Sequence, residues 1–358
     1  MKIFRRPAPA RFPVYLVKPM NTMSLQVAGP ARNLLQYALS LLAVLLLVGC
    51  ASLPIVYPDV VPPEIAVVEP LKAAGRPVIG LALGGGAARG FAHIGVIKEL
   101  VASGIHPDIV VGTSVGSFVG ALYAGGYDAA ALEKLASDMK EEELRDLIYP
   151  NRGFIKGERL QDFVNQRLDN RSIEDLPIRF AAVATDLGDG SMAVFTRGNT
   201  GMAVRASSSI PGVFQPVRIN GREYVDGGLV SPVPVNVARQ LGADLVIAVD
   251  IANRPADNEQ LATTAGIVGQ SLNIMMNHLA HQELALSDIK ISPATRDLIS
   301  TDFTTRLDAI DEGILAARGV TGRVLDWLSL RGSEKMERVV ERLQAIEGTR
   351  WGPPIPAK

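Results

Sequence analysis

The feature that most narrows what this chain can fold into is the alternation of strand-like and helix-like stretches between residues 76 and 251. A short apolar run stops at small residues, and a helical pattern follows. "RPVIGLAL" (76–83) halts at three glycines, and "GFAHIGVIKELVASG" (90–104) then reads as a helix closed near Gly104. "PDIVVGT" (107–113) leads into "VGSFVGALYAGG" (115–126), a helix with small residues on one face. "IRFAAVAT" and "MAVFTRG" are strands joined through the turn "DLGDG", and "TGMAVRASSSI" is a helix that stops at Pro211. "REYVDGG" is a strand running into a turn, "VNVARQLG" a helix, and "ADLVIAVDI" a buried strand. Polar helices are expected at about 128–148 and 157–168. The chain beyond 261 reads as mostly helical, interrupted by "DIKISP". Strands alternating with helices predict an α/β fold: a mostly parallel central sheet with helices on both faces, and a helical C-terminal third.

With 358 residues, 47% hydrophobic, the chain has ample core for one large α/β domain or two small ones. The formal net charge of −1 hides an asymmetry. Residues 1–49 hold six Lys/Arg and no Asp/Glu, so the remainder carries 30 basic against 37 acidic side chains. A net of −7 excludes nucleic acid as a partner class and leaves no polybasic grip on anionic lipid. Cys50 is the only cysteine, so no internal disulfide can form.

Cys50 ends the apolar stretch "LLQYALSLLAVLLLVGC", with Arg32 ahead of it as a positive flank. The apolar run is short for a bilayer span of roughly 20 residues. Its ending, Leu47-Val48-Gly49-Cys50, resembles a bacterial lipobox. That resemblance implies a signal peptide over 1–49 and lipidation of Cys50. Ala51 in the next position implies anchoring in the cell envelope at the periplasmic face of the outer membrane. Met20 and Met23 stand as alternative starts to Met1. Five prolines from Pro54 to Pro70 read as an extended tether over 50–76. A domain over 77–320 and a helical extension over 321–358 complete the expected organisation.

In a parallel sheet flanked by helices, ligands sit outside the carboxyl ends of the strands. Three unusual stretches begin there. "GTSVG" (112–116) sets Ser114 between glycines at a strand-to-helix turn, with the positive end of the next helix aimed at its hydroxyl. "GGGAARG" (84–90) is a glycine-rich turn opening a helix. As a dinucleotide site it would need an acidic residue after the next strand, and Ser114 stands there instead. Its other use is an oxyanion hole made of backbone N–H groups. "DGG" (226–228) leaves Asp226 at a strand end, either a plain turn residue or a base for the serine.

A glycine-rich loop with Arg, then GxSxG, then DGG, in that order, resembles the patatin-like phospholipase family. The flanking "RGFAHIGVIKEL", "ATDLGDG" and "ASSSIPGVFQPV" resemble its bacterial branch. The resemblance covers about 77–251 and implies a three-layer patatin-like fold. It implies an acyl hydrolase that works through a Ser–Asp dyad, with no histidine and no cofactor, on membrane lipid or another lipid ester. Carried onto this chain, it makes Ser114 the nucleophile, Asp226 the base and Gly84, Gly85 and Gly86 the oxyanion-hole donors. The family's loop commonly has a glycine where this chain has Ala87, so the identity of those donors is open. Arg89 is expected either to steady the loop or to meet a substrate phosphate.

Two rivals stay on the page. One is an α/β-hydrolase of Ser-His-Asp type with His278 or His281 as base, although neither sits in a strand-end loop; His106 is expected to be exposed, on the far side of the sheet from Ser114. The other is a non-catalytic envelope lipoprotein. His93 is expected to be a packing or polar-contact residue. His278 and His281 lack the further ligands of a metal site, and none is expected. Ser207, Ser208 and Ser209 read as helix caps, and Asp186 and Asp250 are the competing strand-end acids.

Overall fold

The computed structural model describes residues 61–350 apart from 67, 74, 145, 148–151, 253–262 and 296–302, and of 332–350 the backbone alone. These residues belong to one compact unit, Ile55–Lys358. The expected signal peptide, the lipobox and Cys50 lie outside the described residues.

Eight strands form one sheet. Its parallel core is β3 (Arg179–Asp186), β2 (Ile109–Thr113), β1 (Ile79–Leu83), β7 (Leu245–Val249) and β8 (Ile289–Ile291), in that spatial order. Side chains alternate along each strand, so the two sheet faces feed separate cores. Ile79, Leu81 and Leu83 pack on one face with α1 (Ala92–Ala102), α2 (Val115–Ala124), α3 (Ala129–Asp138), α4 (Glu158–Arg167), α5 (Thr200–Ser207) and α8 (Arg306–Arg350). Val78 and Ala82 pack on the other with α6 (Val235–Gln240) and α7 (Thr264–Leu284). The three layers agree with the expected fold. Leu81 and Leu83 are fully buried, and each such side chain contributes about 1.5–3 kcal/mol.

Two further strands, β4 (Met192–Phe195) and β6 (Arg222–Asp226), run against the parallel set on β3, and β5 (Val217–Ile219) pairs antiparallel with β6. Their placement on β3 decides where the site forms. β4 pairs with Ala182–Thr185 along one edge of β3. β2 takes the other edge as far as Thr113 opposite Val183. The next rung of that same edge, Ala184, is taken by Asp226 of β6. Thus β2 and β6 run head-on along one edge of β3, and their C-terminal ends meet.

Several expectations need correction. Asp226 does not end a strand parallel to β2. It reaches the same rim on an antiparallel strand that enters from outside the sheet. "DIKISP" holds strand β8 rather than a mere interruption. α8 runs continuously from Arg306 to Arg350, across the expected start of the helical extension at 321. The second half of the proline-rich stretch lies on the domain rather than hanging free. Glu64 forms a β-bridge with Arg197, Leu71 N–H donates to Leu241 O at 2.8 Å, and Val68 and Leu71 pack against the α6/α7 core. Proline removes only its own N–H, so the residues between prolines remain able to pair.

Candidate active site

Ser114 is the hinge between β2 and α2, and its backbone is strained. It sits at φ 55, ψ −128, a conformation that costs a non-glycine residue about 1–3 kcal/mol. The glycines around it explain how the turn closes. A Cβ on Gly116 would come within 2.1 Å of Leu83 O, and one on Gly112 within 2.3 Å of Ser117 N. Only glycine lets the helix start this close to β1 and β2. The same close fit brings the glycine-rich loop to the serine, since a Cβ on Gly85 would lie 3.2 Å from Ser114 Cβ.

The head-on meeting of β2 and β6 puts Asp226 beside Ser114, and the Ser114 hydroxyl hydrogen-bonds the Asp226 carboxyl group. Gly228 N–H donates to Asp226 Oδ1 at 2.7 Å and fixes the carboxyl orientation. Asp226 is buried. Burial disfavours the charged form and pushes its pKa up to about 6, against the opposing pull of the Ser114 and Gly228 hydrogen bonds.

The serines expected to be helix caps frame this pair. Ser207 Oγ accepts from Ser114 N–H at 2.9 Å and donates to Val183 O at 2.6 Å. Ser209 O accepts from Asp226 N–H at 2.9 Å. One tripeptide therefore pins the backbones of both partners. Only Ser209 Oγ bonds back into its own helix, to Arg205 O at 2.8 Å.

The expected oxyanion loop is narrowed. Gly84 N–H donates to Val249 O and Gly85 N–H to Pro232 O, both at 3.0 Å, so these two are committed within the fold. Of the three glycines, Gly86 remains. Val115 follows Ser114 as the first residue of α2, where a helix leaves its N–H without an intrahelical partner. Arg89 lies in the short 3-10 turn that follows the three glycines. The side chain is buried and Nε donates to Ile251 O at 3.0 Å, tying the loop to the end of β7.

No described hydrogen bond of Ser114 or Asp226 involves a histidine. His93 is fully buried with Nε2 2.8 Å from Gly84 O, and burial lowers its pKa to about 4, so it is neutral and donates there. His106 is exposed before the start of β2, at the opposite end of that strand. His278 and His281 are exposed on α7. Among the described residues no group of three or more His, Cys, Asp or Glu is arranged to hold a metal. The rival acids have other partners. Asp186 pairs with Arg222 at 2.5 Å and caps its own turn through Gly188 N–H. Asp250 accepts from Ala252 N–H at 3.1 Å.

Ser114 opens on a cavity of about 310 Å³ between α1, α2 and α3. Its lining is apolar, with Ser114 and Ser208 as the only polar side chains among the described residues. Val115, Phe118, Val119 and Leu122 line it in sequence along α2, so it extends about 12 Å from the serine at 1.5 Å per residue. This lining has a chemical consequence: a serine beside a raised carboxylate stands in the wall of a space suited to hydrocarbon.

Residues 81–239 match the family model described as patatin-like phospholipase. Human patatin-like phospholipase domain-containing protein 6 is 36% identical over 193 residues, covering 52% of this chain and 14% of that protein. An uncharacterised NTE family protein of Mycobacterium tuberculosis is 38% identical over 185 residues, 51% of each chain. This chain thus spans about half of the mycobacterial relative and a small part of the human one. Among solved structures, VipD from Legionella pneumophila superposes over 73% of this chain and 70% of its own, with a TM-score of 0.49 and 14% identity. The matched region runs from β1 through α6 and encloses all three motifs, so residues 81–239 of this chain match a patatin-like phospholipase domain.

Proposed function

We propose that this protein is a lipid acyl hydrolase that works through a Ser114–Asp226 dyad and an acyl-enzyme. The observation that carries the reading is a serine, hydrogen-bonded to a buried carboxylate, in the wall of an apolar cavity. Asp226, ionised, accepts the hydroxyl proton as Ser114 Oγ bonds to the ester carbonyl carbon. The carbonyl oxygen becomes an oxyanion facing the N–H groups of Gly86 and Val115. Losing one such donor typically costs ~3–4 kcal/mol of transition-state stabilisation. Collapse breaks the bond to the alcohol, which leaves with the proton held by Asp226. Water then attacks the acyl-serine by the same route in reverse, releasing the fatty acid. A lysophospholipase of Yarrowia lipolytica, 37% identical over 181 residues that form 13% of its length, supports a lipid ester as the substrate class.

The cavity sets the acyl chain. At about 30 Å³ per water-sized group, it has room for roughly ten methylenes. Hydrolysis of a series of p-nitrophenyl esters by the purified protein is expected to peak near that length. Ala136 lines the cavity from α3. Ala136→Phe is expected to lower kcat/KM for a ten-carbon ester by about tenfold or more while sparing a four-carbon ester. One buried methylene is worth about 0.8 kcal/mol, so excluding two or more suffices. An unchanged chain-length profile would remove the cavity from the acyl-binding role.

The site of action is proposed from Cys50. The mature protein is expected to begin at lipidated Cys50 and to sit at the cell envelope. Mass spectrometry of the N-terminus checks this, and Cys50→Ala is expected to leave an unprocessed precursor. An unmodified Cys50, or residues upstream of it in the mature protein, would contradict the anchor. Among the described residues no helix is long and apolar enough to cross a membrane.

A further inference from the structure

Glu283, on α7, reaches the catalytic loops from the far side of the sheet. Its neighbours Ala280 and Leu284 are buried in the α6/α7 core. Its carboxyl group accepts two hydrogen bonds from one turn: Ser231 Oγ at 2.5 Å and Val233 N–H at 3.0 Å. That turn, Ser231-Pro232-Val233, is where the three motifs are tied together. Thr113, the residue before the nucleophile, donates from Oγ1 to Ser231 O at 2.8 Å. Gly85, in the glycine-rich loop, donates to Pro232 O at 3.0 Å. Ser231 N–H donates to Gly227 O at 2.9 Å, directly behind Asp226.

We propose that Glu283 is a positioning residue for the reaction proposed above: by clamping the 231–233 turn it sets the oxyanion loop, the nucleophile and the base at their working separation. The inference rests on the hydrolase reading. Glu283 touches none of the reacting atoms. It acts through Ser231 and Val233 on Thr113, Gly85 and Gly227, one from each motif.

The clamp is costly in itself. Burial pushes the Glu283 carboxyl up to about 7 against the two hydrogen bonds that oppose the shift. Two apolar neighbours would pack against the α6/α7 core without that cost. Removing the carboxyl leaves Val233 N–H and the Ser231 hydroxyl without their partner, and the turn that carries all three tethers is released. Displacements of about 1 Å in a reacting constellation cost on the order of a hundredfold in rate.

The test uses the purified full chain and a p-nitrophenyl ester that the wild type hydrolyses. Glu283→Ala is expected to lower kcat by about 10- to 100-fold with KM within about threefold, since the acyl cavity lies on the other face of the sheet. Glu283→Gln keeps an acceptor for Val233 N–H and offers its amide to Ser231 Oγ. It is expected to retain kcat within about threefold of wild type. Ser231→Ala is expected to weaken kcat less than Glu283→Ala and to add nothing on top of it, as one network demands. It also serves where Glu283→Ala fails to fold. A folded Glu283→Ala protein with wild-type kcat would overturn the proposal. So would Gln and Ala variants equally impaired in proportion to their loss of thermal stability, or Ser231→Ala adding its full effect to Glu283→Ala. Failure of the wild type to hydrolyse any ester or to take a phosphonate at Ser114 defeats the parent reading instead.

Discussion

Asp226→Asn is expected to abolish turnover while raising the melting temperature at pH 7. The two effects share one cause. An ionised carboxylate buried at the junction of β2 and β6 is disfavoured in the folded protein, which is why its pKa rises from 3.8 to about 6. For an acid, a folded-state pKa above the unfolded value means that stability is lost as pH climbs from about 4 through 6. A rise of about two units corresponds to about 3 kcal/mol given up at pH 7. Asparagine keeps an oxygen for Gly228 N–H and the shape of the site, removes the charge, and recovers part of that loss. The stability difference between variant and wild type is expected to vanish below about pH 4. Thermal unfolding across pH 3–8 checks the sign. Activity moves the opposite way. The base must be ionised, so wild-type kcat/KM is expected to fall as pH drops through about 6. A variant that melts lower than wild type at pH 7, or a flat acid limb, would show that Asp226 is not a buried base.

Ser114→Ala is expected to remove ester hydrolysis by at least about 10⁴-fold, with the fold unchanged. Alanine can occupy the strained backbone at φ 55 no worse than serine, and the backbone bond from residue 114 to Ser207 Oγ does not depend on the side chain. Circular dichroism and melting temperature close to wild type, with no turnover, is the expected pair of results. Residual turnover near wild type would move the nucleophile elsewhere, with Ser208 the first to examine. It lines the same cavity and its buried hydroxyl has no hydrogen-bond partner.

Much of this was legible before any coordinates. The apolar runs ending in glycine give β1 and β2 because a buried parallel strand leaves no polar face to interrupt the run. Ser114 was visible because glycine at 112 and 116 is demanded by backbone contact, a constraint that falls on residue type. Asp226 was visible as an acid at a strand end, yet the reason it meets Ser114 was not. The head-on arrangement depends on which edge of β3 each strand takes, and a strand's own side chains do not encode that. Short strands such as β5 and β8, three residues each, fall below the length at which alternation can be read. The commitment of Gly84 and Gly85 was hidden for a related reason. A glycine N–H looks free in sequence, and only the approach of Val249 and Pro232 consumes it. Glu283 and Ser207 were missed because their partners lie 50 and 93 residues away in the chain. The run of three serines before Pro211 was the one available sign, since caps alone need a single such residue.

The central claim, that Asp226 and no histidine activates Ser114, is tested most directly by covalent labelling with a fluorophosphonate followed by peptide mass spectrometry. The proteins compared are the wild type, Asp226→Asn, and single replacements of His93, His106, His278 and His281. The account predicts a phosphonyl adduct on Ser114 in the wild type and in each folded histidine variant, and none in Asp226→Asn over the same interval. An adduct on another serine, Ser114 labelling at the wild-type rate in Asp226→Asn, or its loss on a single histidine replacement in a folded protein would contradict it.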